Sequence, residues 1–241
     1  MNTEATLDQL QQLKLHGMAM AYEAILQMPM DKHPTAHELA ALLSLRETEE
    51  RQRRRTQLYL RLSKLRYAAT LPEIKCSEAR NITQDQVNLL MDGSFIKKAS
   101  NILISGATGC GKSFLACAIG HQACQLGYKP LYINLNRMIE MIALAKMDGT
   151  FIKMLNRLER YHLVILDDFG LQPLTATVRL ALLQILEDRY AKRSTIIVSQ
   201  LPVSKWHEYL GDQTLADAIL DRLMAHATQF NLKGKSMRKA S

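Results

Sequence analysis

The chain has 241 residues, 47% of them apolar, enough to bury a sizeable core in one large domain or two modest ones. Its apolar stretches are no longer than strands, and residues 1–15 lack the basic-then-apolar layout of a signal peptide, so the reading is a cytoplasmic protein with no membrane partner. Four cysteines (Cys76, Cys110, Cys117, Cys124) form no CxxC pair, which argues against a zinc or disulfide framework, and the net charge of +8 points towards a polyanionic partner.

Leu7, Leu10 and Leu13 suggest a short first helix, with breaks expected near Gly17 and over Pro29–Pro34. The run Thr35–Ala36–His37–Glu38 has capping-box form and opens a long helix expected to reach towards Arg66, with Leu71–Pro72 ending it. Within it, eight basic residues (Arg46, Arg51, Arg53, Arg54, Arg55, Arg61, Lys64, Arg66) outnumber three acids (Glu47, Glu49, Glu50) by five. Arg51, Arg54 and Arg55 follow helical spacing and Arg61 continues near that line. One face can therefore present several guanidiniums to phosphates, each releasing counterions on binding. These four are the candidate contacts to double-stranded DNA, largely independent of its sequence; the competing reading is a surface for a neighbouring subunit or a protein partner. A second basic cluster, Lys233, Lys235, Arg238 and Lys239, closes the chain.

Thr83–Gln84–Asp85–Gln86 offers another cap, with a short helix stopping at Asp92–Gly93. From Asn101 the pattern alternates. Asn101–Ile104, Lys129–Leu135, Leu163–Leu166 and Thr195–Val198 read as strands, the last two as continuous apolar runs suited to a parallel sheet covered on both faces. Lys112–Leu126, Val178–Tyr190 and Leu215–His226 read as helices, and Thr228–Leu232 as a last strand. The expected organisation is a basic helical domain over residues 1–70, a linker with a short helix over 71–94, and an α/β domain over 95–241.

Gly106–Ala107–Thr108–Gly109–Cys110–Gly111–Lys112–Ser113 fits GxxxxGK[ST] between a strand and a helix. Glycines let the backbone turn its N–H groups onto phosphate oxygens. Lys112 brings a mobile charge to the β- and γ-phosphates, Ser113 offers a hydroxyl to Mg2+, and the helix beginning there, with Phe114 in its first turn, aims its positive end at the nucleotide. The expected ligand is ATP with Mg2+. Cys110 lies inside this loop, so its alkylation is expected to be blocked by ATP.

Leu163–Val164–Ile165–Leu166–Asp167–Asp168 is an apolar strand ending in two carboxylates. An acid at that position holds the metal through its water shell, which makes Asp167 the candidate, and the next, Asp168, can polarise the attacking water. Standing alone, the pair would more simply cap a following helix.

With Ser199–Gln200–Leu201–Pro202, Ile219–Leu220–Asp221–Arg222–Leu223 and Gly234–Lys235–Ser236–Met237–Arg238, these motifs make the chain resemble, over nearly its whole length, the IstB family. Its members are AAA+ ATPases that assist insertion-sequence transposition, relatives of the DnaC helicase loaders. The resemblance implies a P-loop AAA+ core with a parallel sheet in the order 5-1-4-3-2. It also implies ATP-dependent homo-oligomeric assembly on DNA and recruitment of a partner transposase. By position, Gln200 would be the polar sensor contacting the γ-phosphate or attacking water. Arg222 would be the arginine that one subunit inserts towards its neighbour's ATP, stabilising charge on the transferred group. Arg238 matches a family arginine to which no role is assigned. Many relatives carry Asp-Glu where this chain has Asp167–Asp168; the shorter base loses one carbon–carbon bond, ~1.5 Å, and slow turnover is expected. The alternative function is a DnaC-like replicative helicase loader that uses ATP as an assembly switch.

Overall fold

The computed structural model describes residues 2–237. The chain divides into two compact units, Met1–Leu58 and Tyr59–Ser241.

The first unit is helical: α1 (Thr3–Gln12), α2 (His16–Leu26) and α3 (Ala36–Ser63), whose last residues belong to the second unit. The expected box opens α3, with Thr35 N–H donating to Glu38 Oε2 at 2.8 Å and Glu38 N–H to Thr35 Oγ1 at 3.4 Å. The break expected near Gly17 falls at residues 13–15, between α1 and α2, and Gly17 itself lies buried in the first turn of α2. A Cβ at that position would sit 2.3 Å from the Arg46 carbonyl oxygen, so the glycine is there to let two helix backbones touch. Glu47 serves the same contact. Its Oε2 accepts the Gly17 and Met18 N–H groups at 2.8 and 3.3 Å, capping a helix whose N-cap residue, Leu15, has no side-chain acceptor.

The long helix also ends earlier than Arg66. Lys64 takes a left-handed conformation (φ 56°) and terminates it after Ser63. Leu71–Glu73 is then a separate 3-10 turn, steadied by the Thr70 N–H on Glu73 Oε2 at 2.8 Å, and not the stop of the helix.

In the second unit α4 (Gln84–Met91), carrying the anticipated Thr83–Gln86 box, and α5 (Ser94–Lys97) precede the alternating region. There follow β1 (Ile102–Gly106), α6 (Lys112–Gln125), β2 (Pro130–Asn134), α7 (Leu135–Met147) and α8 (Phe151–Glu159). Next come β3 (Leu163–Phe169), α9 (Ala176–Arg189), β4 (Ser194–Ser199), α10 (Trp206–Leu210), α11 (Gln213–Met224) and β5 (Thr228–Leu232). All strand pairs are parallel, in the order β2-β3-β4-β1-β5, which is 5-1-4-3-2 read from the other edge. The expected fold class is the observed one.

Period-two alternation explains why the strands are apolar throughout. Leu103, Leu131, Ile133, Val164, Leu166 and Ile197 face one core, shared with α7, α8, α9, α10 and α11. Ile102, Ile104, Tyr132, Leu163, Ile165, Ile196 and Val198 face the other, against α4, α5 and α6. Each fully buried large aliphatic side chain contributes roughly 1.5–3 kcal/mol. At the bottom of the first core, Arg189 is 1% exposed and donates to the carbonyls of Leu158, Tyr161 and Ser194 and to the Thr195 hydroxyl, at 2.6–3.2 Å. It ties the end of α8 to the start of β4. Among the described residues no helix is long and apolar enough to cross a membrane.

Candidate nucleotide site

The phosphate loop leaves β1 at Gly106 and enters α6 at Lys112. Its capping residue, Gly111, is left-handed (φ 94°), and the helix has no side-chain cap. The first N–H groups of α6, which have no acceptor within the helix, are therefore left to a ligand, and the helix dipole favours an anion there. Lys112 is 8% exposed; its ammonium donates to the Ala107 carbonyl at 2.8 Å and takes part in none of the ion pairs among the described residues. A buried cation held by one carbonyl beside open helix-terminal donors fits a phosphate chain.

The loop borders a cavity of about 350 Å³ whose wall includes Thr108, Gly109, Gly111, Lys112, Ser113 and Phe114 together with Asp168 and Gln200. The geometry thus brings together residues drawn from three strand ends and spaced up to 92 positions apart. A larger hollow, about 960 Å³, lies over β2, α7 and α8, but it contains neither the phosphate loop nor a strand-end carboxylate; size does not mark the site.

Asp167 and Asp168 do not simply follow a strand. The β3–β4 register shifts between Leu166 and Phe169, and Asp168 adopts φ 61°, so the chain bulges at the acidic pair. The bulge separates the two carboxylates. Asp167 points into the protein and is 1% exposed, with Oδ2 receiving the Tyr132 hydroxyl at 2.5 Å and Oδ1 the Asp168 N–H at 2.8 Å. It is not on the cavity wall; Asp168 is. Asp168 in turn receives the side-chain amide of Asn134, whose own oxygen caps α7 by accepting the Asn136 N–H at 2.9 Å. Burial, and after it the negative charge of Asp167, raise the Asp168 carboxyl above the ordinary aspartate value. A carboxylate shifted that way is a better proton acceptor, as a general base needs to be.

Gln200 reaches the loop directly: the Thr108 hydroxyl donates to its Oε1 at 2.7 Å. Its backbone is placed by an aromatic anchor. Trp206 is fully buried, donates its indole N–H to the Leu201 carbonyl at 3.1 Å, and packs 4.9 Å (ring centroids) from Phe169, the residue after Asp168. Ser199 Oγ bridges the same two segments, donating to the Phe169 carbonyl at 2.6 Å and accepting the Leu201 N–H at 3.0 Å. The ends of β3 and β4 are therefore tied to each other.

Arg222 is elsewhere. On α11 it pairs with Glu187 (2.7 Å) and Asp221 (3.2 Å), beside a small cavity lined by Lys98, Arg193 and His226, and takes no part in the wall around Lys112. The hydrogen bond to Glu187 is the main cause holding its guanidinium further into the charged form. Arg238 lies outside the described residues. Of the four α3 candidates, Arg51 and Arg54 are held by Glu47 and Glu50 at 2.6 and 2.5 Å, whereas Arg55 and Arg61 are exposed and form no ion pair among the described residues. Cys110 departs from expectation: it is only 1% exposed, so the protein itself already covers the thiol that ATP was expected to shield.

Several wall residues had no role assigned from the sequence. Arg66, Tyr67, Ile74 and Arg80 come from the stretch before β1, and Met237 from the C-terminal segment. Tyr132 and Asn134 were findable in principle, since they are the polar positions at the end of the strand that pairs with the acidic one.

A family model for IstB-like ATP-binding proteins matches residues 8–241. The chain belongs to the IstB-like ATP-binding family. It is 42% identical over 234 residues to an insertion-sequence ATP-binding protein of Sinorhizobium fredii, covering 97% of this chain and 96% of the relative. An insertion-sequence ATP-binding protein of Pseudomonas fluorescens is 39% identical over 205 residues, covering 85% and 89%. Among solved structures, DnaI superposes with a TM-score of 0.59 at 17% identity, covering 69% of this chain and 92% of DnaI. The DnaC helicase loader gives 0.55 at 19% identity, covering 69% and 98%. These likenesses establish the AAA+ fold. The IstB-like chain is thus an ATP-binding protein with the fold of the AAA+ ATPases.

Proposed function

We propose that this IstB-like protein hydrolyses ATP between its own copies while assembled on double-stranded DNA, and that the assembly recruits or activates a transposase. The supporting observation is the division of catalytic groups: Lys112, Ser113, Asp168 and Gln200 share one cavity, while Arg222 stands on a different surface.

Within that cavity the loop's N–H groups and Lys112 bind and orient the phosphates, Gln200 senses the terminal one, and Asp168 accepts a proton from the attacking water. The donors on the wall are hard oxygens, which fits Mg2+: the Ser113 hydroxyl would hold the ion directly, whereas Asp167, expected to act through its water shell, faces away from the wall and would have to leave the Tyr132 hydroxyl to do so. The metal's chemistry would be to neutralise charge on the β- and γ-phosphates. Asp167 is held inward by the Tyr132 hydroxyl, which is also bonded to Arg66; that bond is the main cause holding the Arg66 guanidinium further into the charged form. Arg222 would complete a neighbour's site, contributing to hydrolysis only after assembly.

For DNA, Arg51, Arg54, Arg55 and Arg61 fall within an arc of about 120° on an ideal helix. Arg55 and Arg61 contribute most, because among the described residues neither is paired with an acid that it would have to leave. Relatives named for insertion sequences align across nearly the whole chain, whereas the loader likeness reaches 69% of it and speaks for the core alone; this favours the transposition role over helicase loading. Phosphate release and particle size, each measured with ATP, with duplex DNA and with both, test the proposal. Assembly and turnover that require both support it; full activity and unchanged size without DNA would contradict it.

A further inference from the structure

Arg80 is claimed by no motif, yet it occupies the wall of the nucleotide cavity and touches three separate parts of the chain. Its Nη2 donates to the Cys110 carbonyl of the phosphate loop at 3.1 Å, and its Nη1 to the Lys75 carbonyl. Its own carbonyl accepts the Lys233 N–H at 3.0 Å, just past β5. The next residue, Asn81, is left-handed (φ 53°) and donates its side-chain amide to the Asn231 carbonyl at 2.8 Å. The C-terminal segment then continues onto the loop itself, where Met237 N–H donates to the Gly109 carbonyl at 2.9 Å. The fit has no slack. A Cβ on Gly111 would lie 2.9 Å from Arg80 Nη2, and one on Gly109 would lie 2.3 Å from Ser236 Oγ.

We propose that Arg80 is a positioning residue for the nucleotide: with the segment 233–237 it clasps the phosphate loop, and the loop takes its triphosphate-accepting shape only while both are seated. A trans peptide points its C=O and its following N–H in opposite directions. Holding the Cys110 carbonyl on Arg80 therefore fixes the direction of the Gly111 N–H, and holding the Gly109 carbonyl on Met237 fixes that of Cys110. Two consecutive peptides of the loop are oriented by groups far away in sequence. A lysine cannot replace the clasp, since only the guanidinium fork reaches two carbonyls in fixed geometry. One consequence is a mechanical link: whatever draws the basic C-terminal segment off the loop loosens the grip on nucleotide.

The inference rests on the reading of this cavity as the ATP site, and its test separates the two. A fluorescent ATP analogue with Mg2+ is titrated into full-length wild type, Arg80→Ala, Arg80→Lys, Met237→Pro and the Arg80→Ala/Met237→Pro double variant. Loss of a charge-assisted hydrogen bond to a buried carbonyl predicts at least about tenfold weaker binding for Arg80→Ala, with incomplete rescue by lysine. Met237→Pro, which removes the N–H donor, is also expected to weaken binding, and the double variant to be no weaker than Arg80→Ala, because both act on one unit. Peptide-resolved maleimide labelling adds a local readout: Cys110 should open in Arg80→Ala while Cys117, buried in α6, stays closed. Wild-type affinity in Arg80→Ala, losses that multiply in the double variant, or equal opening of Cys110 and Cys117 would overturn the clasp. Should Arg80→Ala fail to fold, Arg80→Lys and Met237→Pro carry the same test. A wild type that binds no Mg2+–ATP would instead remove the site assignment itself.

Discussion

The nucleotide cavity and the basic face of α3 are both rich in charge, but they are built in opposite ways. At the cavity the charged groups assigned to the nucleotide are buried or braced: Lys112 is 8% exposed, Asp167 behind the wall is 1% exposed, and Asp168 is fixed by Asn134 and a backbone bulge. On α3 the guanidiniums are exposed, and the acids are the buried partners, Glu47 at 6% and Glu50 at 9%. A charge that must meet one ligand in one geometry is held by a shell. A charge that must meet any phosphate needs only to be available, and local acids decide how many are. The surplus of five read from the sequence already subtracts these acids, but it does not say which cations they hold: Arg51, Arg53 and Arg54 have carboxylates within 2.7 Å, so the charge ready for phosphate lies elsewhere on the helix.

Substitutions should break the cavity sharply and the helix face gradually. The largest effect is expected for Lys112→Ala, which leaves the loop without its cation; nucleotide titration should find no saturable Mg2+–ATP binding, and unchanged affinity would refute its role. Asp168→Ala should retain ATP but lose turnover by about 10²–10⁴-fold, the usual worth of a positioned base. Phosphate release at the wild-type rate would remove Asp168 from the chemistry. The same residue sets a pH limit. Its carboxyl is raised by burial and by Asp167, and it works deprotonated. The acid limb of turnover should therefore lie above the ordinary aspartate value of about 3.9, and a pH–rate profile with no limb on that side would contradict this.

Trp206→Ala should cost about 3–5 kcal/mol in denaturant unfolding, by emptying a fully buried anchor. A change under about 1 kcal/mol would mean that the acid and sensor strand ends are held by other means. The smallest effects belong to α3. Arg55→Ala with Arg61→Ala should lower the slope of log affinity for duplex DNA against log salt by roughly 2, about 0.9 for each phosphate no longer neutralised. Arg51→Ala with Arg54→Ala should lower it less, and the reverse order would show that Glu47 and Glu50 do not compete with phosphates.

Acid should distinguish the regions as well. The hydrogen bonds from Arg53 and then Arg54 hold the Glu50 carboxyl down at about 2. A depressed folded value means that its ion pairs support α3 at neutral pH and through the mildly acidic range, and are lost only as pH falls towards about 2.

Much of the core was legible because its signals are local. Parallel strands covered on both faces must be apolar throughout, and Leu163–Leu166 and Thr195–Val198 are; a capping box is a four-residue pattern, and Thr35–Glu38 and Thr83–Gln86 form theirs. What stayed hidden depends on distant partners. Gly17 reads as a helix breaker until Arg46 is placed against it, and a lysine in left-handed conformation at 64 has no sequence signature. The bulge that turns Asp167 inward and Asp168 outward depends on the register with Ser199, and Arg80 acquires meaning only when Cys110 and Lys233 are brought to it.

The division of the site between two copies is tested most directly by mixing. Arg222→Ala alone should bind ATP and hydrolyse it at least about a thousandfold more slowly, in the range a missing arginine finger costs, and Lys112→Ala alone should not turn over. Combined on duplex DNA, the two should regain a substantial fraction of wild-type phosphate release, because an intact cavity then meets an intact Arg222. A mixture as inactive as its parts, under conditions where both variants co-assemble, would contradict hydrolysis between subunits.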